Sequence, residues 1–152
     1  MSVKISGLSD VTARLEALEN LPLKKSLFDD IGNMAVNEIK DAFIDERSPF
    51  GEKWQELSAK TKERKKKKGK SSKILRDSGA LFSKWEVRSA TNSVTISNNT
   101  QNNGFAYGLS HQYGSKKQNI PARPFLPVDK NGNLEKKLEA NIKNLIISKI
   151  KI

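Results

Sequence analysis

The sequence HQYGSKKQNIPARPFLPV, from His111 to Val128, constrains the fold more than any other stretch of this chain. It holds three prolines, and each one fixes its own φ angle and favours an extended conformation in the residue before it. Residues 120–128 are therefore predicted to run extended. The three missing backbone donors exclude a central strand, because such a strand needs a complete ladder of hydrogen bonds.

Alternate side chains of an extended segment lie on opposite faces. Within residues 115–128, which we predict to form a Pro-rich arm, one face carries Pro121, Arg123, Phe125 and Pro127. A stiff segment with a cation and an aromatic ring on one face suits contact with another molecule. The alternative is a buried connector before the last helix, and composition alone favours neither.

Three stretches of the sequence together resemble the phage virion morphogenesis (tail-completion) family. They are PFGEKWQELSAKT at residues 49–61, ILRDSGALFSKWEV at residues 74–87, and the stretch that begins at His111. In this last stretch an H-x-x-G segment is followed by a basic loop and then by I-P-A-R-P-F-L. The order and spacing of the three match as well, so the resemblance extends from about Leu23 to the C-terminus.

The resemblance implies a structural protein of tailed bacteriophages that completes the tail and helps to join it to the head, without enzymatic activity. It implies other tail or neck proteins as partners, and a homo-oligomeric ring on assembly that is compatible with a monomer in isolation. The implied location is the bacterial host cytoplasm during assembly and then the virion. We predict an interface that contains Pro121, Arg123, Pro124, Phe125, His111 and Tyr113.

Length and composition are those of a single domain, residues 1–152, with a modest core, since 36% of the residues are hydrophobic and 30% are charged. No apolar run reaches the roughly 18 residues of a membrane span. The first ten residues, MSVKISGLSD, lack the apolar centre of a signal peptide. The chain has no cysteine, which excludes disulfides and Cys-ligated metals and fits a reducing cytosol.

The net charge of +11 is concentrated in one segment. Residues 60–76 hold ten basic residues and one acidic residue, which gives +9 and leaves +2 for the rest of the chain. Four consecutive lysines repel one another and Gly69 adds freedom, so we predict a mobile Lys-rich loop over residues 64–73. The candidate contacts to nucleic acid are Lys65, Lys66, Lys67, Lys68 and Lys70.

Such lysines bind phosphates without reading sequence. The segment 60–76 lacks aromatic rings for stacking on bases, so the chemistry would be purely electrostatic. The second hypothesis for the protein is therefore a DNA-binding accessory protein without sequence specificity. The same loop could equally meet an acidic protein surface or only aid solubility, and the sequence does not choose among these.

Catalysis is not predicted. His111 is the only histidine, and Ser78 lies in R-D-S-G beside Asp77 and outside a G-x-S-x-G elbow, so a Ser–His–Asp triad is a poor match. Neither a phosphate-binding loop nor a metal or cofactor site is evident. We expect His111 to be structural, with its ring packed near Tyr113.

Periodicity predicts an α+β domain, in which two to three long helices pack against a small antiparallel sheet beside the Pro-rich extended arm. A hairpin is predicted around the turn Thr91–Asn92, with residues 93–97 as its second strand. The N-terminal helical segment, residues 1–21, is expected to pack on the longest helix, and the alternative is that it packs on a neighbouring subunit. The other predicted helices are a central one over about 23–43, a short one from Ala59 capped by Ser58, a short one over 105–113 and a last one over about 133–150.

Overall fold

The structure, a computed structural model, describes residues 25–90 and 92–149, so the predicted helical segment at residues 1–21 lies outside it. The described part contains five helices and one two-stranded antiparallel sheet, which confirms the α+β class. Only two of these helices are longer than nine residues. In chain order the elements are α1 (Lys25–Asp45), α2 (Ala59–Lys67), α3 (Ala80–Ser83), β1 (Glu86–Ser89), β2 (Val94–Ser97), α4 (Tyr107–Tyr113) and α5 (Lys136–Lys149).

Helix α1 is the element on which the rest of the domain packs. It contacts both strands and α5. Its buried side chains recur every three or four positions, as an amphipathic helix requires; they include Leu27, Ala35, Ile39, Ala42 and Phe43. The sheet approaches closely at Gly32, where an added Cβ would lie 2.8 Å from Val94 Cγ2.

The predicted hairpin is confirmed. Strand β1 pairs antiparallel with β2, with Glu86 opposite Ser97 and Ser89 opposite Val94. Ser89 Oγ also donates a hydrogen bond of 2.6 Å to the Asp29 carboxylate on α1. The sheet is therefore tied to the central helix by both packing and a polar contact.

Phe43 lies at the centre of the core and has no exposed surface. Its ring contacts the rings of Trp54 at 5.5 Å, Phe82 at 5.9 Å and Phe125 at 5.2 Å between centroids. Phe125 comes from the Pro-rich stretch, so this stretch is part of the core from which the domain derives its stability. Aromatic pairs in such edge-to-face and tilted arrangements add to the free energy gained from burial alone.

The last helix starts later than predicted. Residues that precede it form a turn in which the Asp129 carboxylate accepts hydrogen bonds from the amides of Asn131 and Asn133. Glu135 then caps the helix, because its carboxylate accepts from the amide of Leu138 at 2.9 Å. The polar turn competes with helix formation here, and α5 begins only at Lys136.

The Lys-rich stretch is helical over more residues than predicted. Ser58 caps α2 as expected, since its hydroxyl accepts from the Thr61 amide at 3.2 Å. The helix then continues through Lys67, so the loop predicted over residues 64–73 starts four residues later. Lysine is a good helix former, and Lys67 forms an i,i+4 ion pair with Glu63 at 2.8 Å.

Candidate interaction site

The Pro-rich segment, residues 121–128, is held against the body by side chains in place of a neighbouring strand. Gln112 is buried at the end of α4, and its Oε1 accepts hydrogen bonds from the amides of Phe125 at 2.9 Å and Leu126 at 3.0 Å. Trp54 Nε1 donates to the Pro124 carbonyl at 2.8 Å. These bonds provide partners for backbone groups of a segment that cannot pair with a neighbouring strand.

Arg123 is buried among carbonyl oxygens. Its Nε donates to the Gln55 carbonyl at 2.9 Å and its Nη2 to the Glu56 carbonyl at 3.2 Å, while its backbone amide donates to the His111 carbonyl at 2.6 Å. Burial lowers the pKa of the guanidinium from its ordinary value. An arginine nevertheless stays charged at neutral pH, so the site holds a fixed positive charge.

Gly114 makes the turn between α4 and the Pro-rich segment possible. Its φ of 76° and ψ of 167° fall in a region that is essentially restricted to glycine. An added Cβ would also lie 3.0 Å from the Ala122 amide nitrogen and 3.2 Å from the Ile120 carbonyl oxygen. Both backbone conformation and space therefore require glycine, which gives the H-x-x-G motif its physical reason.

Lys65 differs from its neighbours in the lysine run because its side chain is turned inwards. It is 4% exposed, and its Nζ donates to the carbonyls of Lys73 at 2.6 Å and Arg76 at 3.2 Å. Burial is the main cause that lowers the pKa of its ammonium group, with the nearby charge of Arg64 adding to it. Lys65 therefore anchors the loop that follows α2.

An open groove of about 770 Å³ runs between α2 and the turn that precedes the Pro-rich segment. It brings together two stretches that are far apart in the sequence, and both carried predicted contacts. Its lining from α2 and the following loop includes Arg64, Lys65, Arg76 and Asp77, and its lining from the other side includes His111, Tyr113, Lys116, Pro121 and Arg123.

His111 lies where this groove meets a second one of about 570 Å³. Its ring packs on Tyr107, with 6.4 Å between ring centroids, and not on Tyr113 as predicted. Residues four apart on a helix share a face, whereas residues two apart do not. Burial, followed by the charge of Arg123, lowers the pKa of the imidazole, and its buried Nδ1 has no partner among the described residues.

An exposed apolar stripe borders these grooves. Leu109 and Tyr113 lie one turn apart on α4, and Phe105 lies in the bridged turn two residues before that helix. Their exposed fractions are 40%, 63% and 66%. The inward face of α4 instead carries Gln112. Large apolar side chains exposed together in this way mark surfaces that contact other molecules.

The predicted interface residues separate into two groups. His111, Tyr113 and Pro121 line the first groove. Phe125, by contrast, is 3% exposed in the core, and Arg123 is bonded to carbonyls of its own chain, so the structure gives these two an internal role. The segment is closer to the buried connector than to a projecting arm, because its aromatic face packs on Phe43.

The predicted nucleic-acid contacts also separate. Lys66, Lys67, Lys68 and Lys70 are exposed, whereas Lys65 is buried and bonded within the chain. Lys65 is therefore a correction to the predicted set. Identical residues in a run give no sequence signal for the one that turns inwards, and only its place on the inner face of α2 does so.

Gln112 is the functional residue that the sequence analysis missed. A glutamine between a histidine and a tyrosine carries no motif, and burial of glutamine is uncommon. The three prolines were the available signal. The amides that remain in such a segment need hydrogen-bond acceptors, and no neighbouring strand supplies them.

Neither a candidate metal cluster nor a candidate membrane span occurs in the described ranges, 25–90 and 92–149. Within them, no group of three His, Cys, Asp or Glu side chains is placed to hold a metal ion. No helix in that part of the chain combines the length and apolar character needed to cross a membrane.

Comparison with known proteins identifies the family. The phage virion morphogenesis family matches residues 3–151. An uncharacterized protein of Methanocaldococcus jannaschii is 36% identical over 107 residues, which cover 68% of this chain and 76% of that protein. No solved structure matches the chain. The matched family has a structural role in virion assembly, as the three motifs indicated, and the chain belongs to the phage virion morphogenesis family.

Proposed function

We propose that the protein completes the phage tail and helps to join it to the head through protein contacts, as a ring on the assembling virion. The observation that carries this proposal is the family match over residues 3–151. Assembly by contact needs exposed surfaces that bury apolar area in a complex. The exposed stripe of Phe105, Leu109 and Tyr113 beside the grooves is such a surface.

The proposed contact surface combines Leu109 and Tyr113 with His111 and Pro121. Arg123, Pro124 and Phe125 support it from within, because they fix the position of the chain that carries Pro121. The partners are other tail or neck proteins, and the protein acts in the host cytoplasm during assembly and then in the virion. A monomer in isolation is compatible with this function.

The test is complementation of a phage or prophage from which this gene has been deleted. We expect the double variant Leu109→Lys, Tyr113→Lys to fold normally and to lower the yield of joined particles by about a hundredfold, because two charges would enter a desolvated contact. Electron micrographs should show unjoined heads and tails. The matched control is Ile147→Lys, since Ile147 is an equally exposed apolar residue outside the stripe and the first groove. A normal yield from the double variant would contradict the proposed surface.

A second function, DNA binding without sequence specificity, is favoured by one observation. Lys66, Lys68 and Lys70 are exposed and have no ion pair within the described part of the chain, and Lys67 has only a surface pair with Glu63. Four phosphate contacts would give a slope of about −3.6 for log K against log salt. Substituting the four lysines with Ser should flatten that slope and leave unrelated duplexes bound equally weakly. A slope that is unchanged in the variant would exclude this role for the lysines.

A further inference from the structure

Helix α1 exposes an acidic stripe on the face that points away from the core. Six of the eight exposed residues of α1 recur at intervals of three or four, and the other two are Lys25 and Ile44; the six are Ser26, Asp30, Asn33, Asn37, Asp41 and Asp45. The three aspartates span about 22 Å of helix. They form no ion pair within the described residues, although the half-buried Lys40 lies at the margin of the stripe.

The first groove has the opposite charge. Its lining contains five basic residues, Arg64, Lys65, Arg76, Lys116 and Arg123, and two acidic ones, Glu56 and Asp77. The buried Lys65 and Arg123 donate to carbonyl oxygens and form no direct ion pair within the described residues, although the charges of Asp77 and Glu46 act on Lys65. Fixed positive charges beneath a concave surface focus a positive potential into it.

We propose that the acidic stripe of one copy of this chain docks in the basic groove of the next copy. No residue of α1 lines the groove, so the two surfaces are distinct and can be engaged at the same time. A contact between two different patches of identical chains is heterologous, and it closes into a ring when the rotation per copy allows. The inference rests on the proposed function only for the biological role that it gives to this contact between copies.

The charge pattern favours a helix over nucleic acid as the occupant. Glu56 and Asp77 lie in the groove and would face the phosphates of a backbone that carries a charge at every step. The stripe instead separates its aspartates by neutral Asn33 and Asn37, which can meet the acidic positions without repulsion. Exposed Lys116 remains to pair with the aspartates, whereas Arg64 Nη2 already lies 4.0 Å from the Asp77 carboxylate.

Cross-linking between single-cysteine variants tests the contact directly, because the natural chain has no cysteine. One variant carries Asn37→Cys on the stripe, and the other carries Ala122→Cys at the groove; both positions are exposed. A short bismaleimide should join the two variants into a dimer when they are mixed at high concentration. Lys136→Cys, exposed but outside both surfaces, is the control and should give at least tenfold less product with either variant. Equal yields with the control would overturn the proposal.

Charge reversal then tests the pairing. Asp41→Lys with Asp45→Lys on the stripe partner, or Arg64→Glu with Lys116→Glu on the groove partner, should each reduce cross-linking at least tenfold. Combining the reversed stripe with the reversed groove should restore it. Failure of this restoration contradicts the contact. If the groove reversal abolishes duplex DNA binding and leaves cross-linking unchanged, the groove is a nucleic-acid surface and the proposal is wrong.

The same variants separate this inference from the proposed function. Normal joining of heads and tails by the stripe-reversed protein would remove the contact and leave the proposed function intact. Specific cross-linking between the Asn37→Cys and Ala122→Cys variants, together with failure of the natural chain to complement the gene deletion, would remove the proposed function and leave the contact intact.

Discussion

The Lys-rich helix α2 and the Pro-rich segment 121–128 both had the sequence character of regions directed at a partner. In the structure the two regions differ in how much of their surface is buried. The Pro-rich segment packs its aromatic face into the core, and Phe125 contacts Phe43. Helix α2 stays at the surface with most of its lysines exposed, and only Lys65 is buried. Alternation with period two separated inner from outer residues in the first region, whereas uniform composition concealed the single inner residue of the second.

The comparison separates buried residues that position the walls of the groove from residues that are exposed on it. Phe125 and Gln112 hold one wall of the groove, and Lys65 holds the loop at the other wall. If this division is correct, substitutions of these residues should reduce stability, while substitutions of their exposed neighbours should affect only association.

Phe125→Ala should have the largest effect on stability. Removing a buried aromatic ring typically costs about 3–5 kcal/mol, since contacts to its neighbours are lost and a cavity remains. Thermal unfolding followed by circular dichroism measures this. Leu109→Ala, at an exposed apolar position, is the control and should change stability by less than about 0.5 kcal/mol. Similar melting temperatures for the two variants would mean that Phe125 is not a core residue and that the Pro-rich segment is a projecting arm.

Gln112→Ala should have the second largest effect. It leaves the amides of Phe125 and Leu126 without their acceptor, at a cost of about 1–3 kcal/mol for each group that stays buried. Hydrogen exchange of these two amides should accelerate more than that of amides in α1. The exposed Gln118 provides the control substitution. Unchanged protection at both amides would show that Gln112 does not hold the segment.

Lys65→Ala should cost about 1–2 kcal/mol, because the carbonyls of Lys73 and Arg76 lose a charged donor. Lys66→Ala, one residue away and exposed, should lie within about 0.5 kcal/mol of the natural protein. Denaturant unfolding compares the two free energies. Equal free energies of unfolding would mean that Lys65 contributes no more to stability than the exposed Lys66.

The smallest effect concerns His111, whose pKa is lowered in the folded state by burial and then by Arg123. The unfolded chain therefore takes up a proton at about pH 6.5 while the folded chain stays neutral. Stability should fall as the pH drops below that value, because the unfolded state binds more protons there. His111→Gln should remove this part of the pH dependence. Parallel stability curves for the two proteins between pH 7 and pH 5 would exclude it.

Local signals in the sequence predicted the elements well. The Ser58 cap, the hairpin and the inner face of α1 all depend on residues close together in the chain, so periodicity and capping rules apply. Alternation also identified the residues that share a face of the Pro-rich segment, but it left open whether this face meets the core or another molecule. These rules could not identify the residues against which that face packs, since Phe43 and Trp54 lie about 70 to 80 residues earlier in the chain.

The candidate site was less predictable for the same reason. Its two walls come from α2 and from residues 111–123, and no local pattern states that they face each other. The sequence analysis did not identify the acidic stripe of α1. Its continuity became visible only when the exposed side chains were identified.

The hydrogen bonding of residues 121–127 restricts how any neighbour can recognise them. Pro121, Pro124 and Pro127 have no amide donor, and the amides of Arg123, Phe125 and Leu126 are directed at His111 and Gln112. The segment is extended but offers almost no donors to an incoming strand, so it cannot be lengthened into a larger sheet by β-augmentation. An extended stretch at the surface is thus protected from the edge-to-edge aggregation that would otherwise compete with ordered assembly at high local concentration.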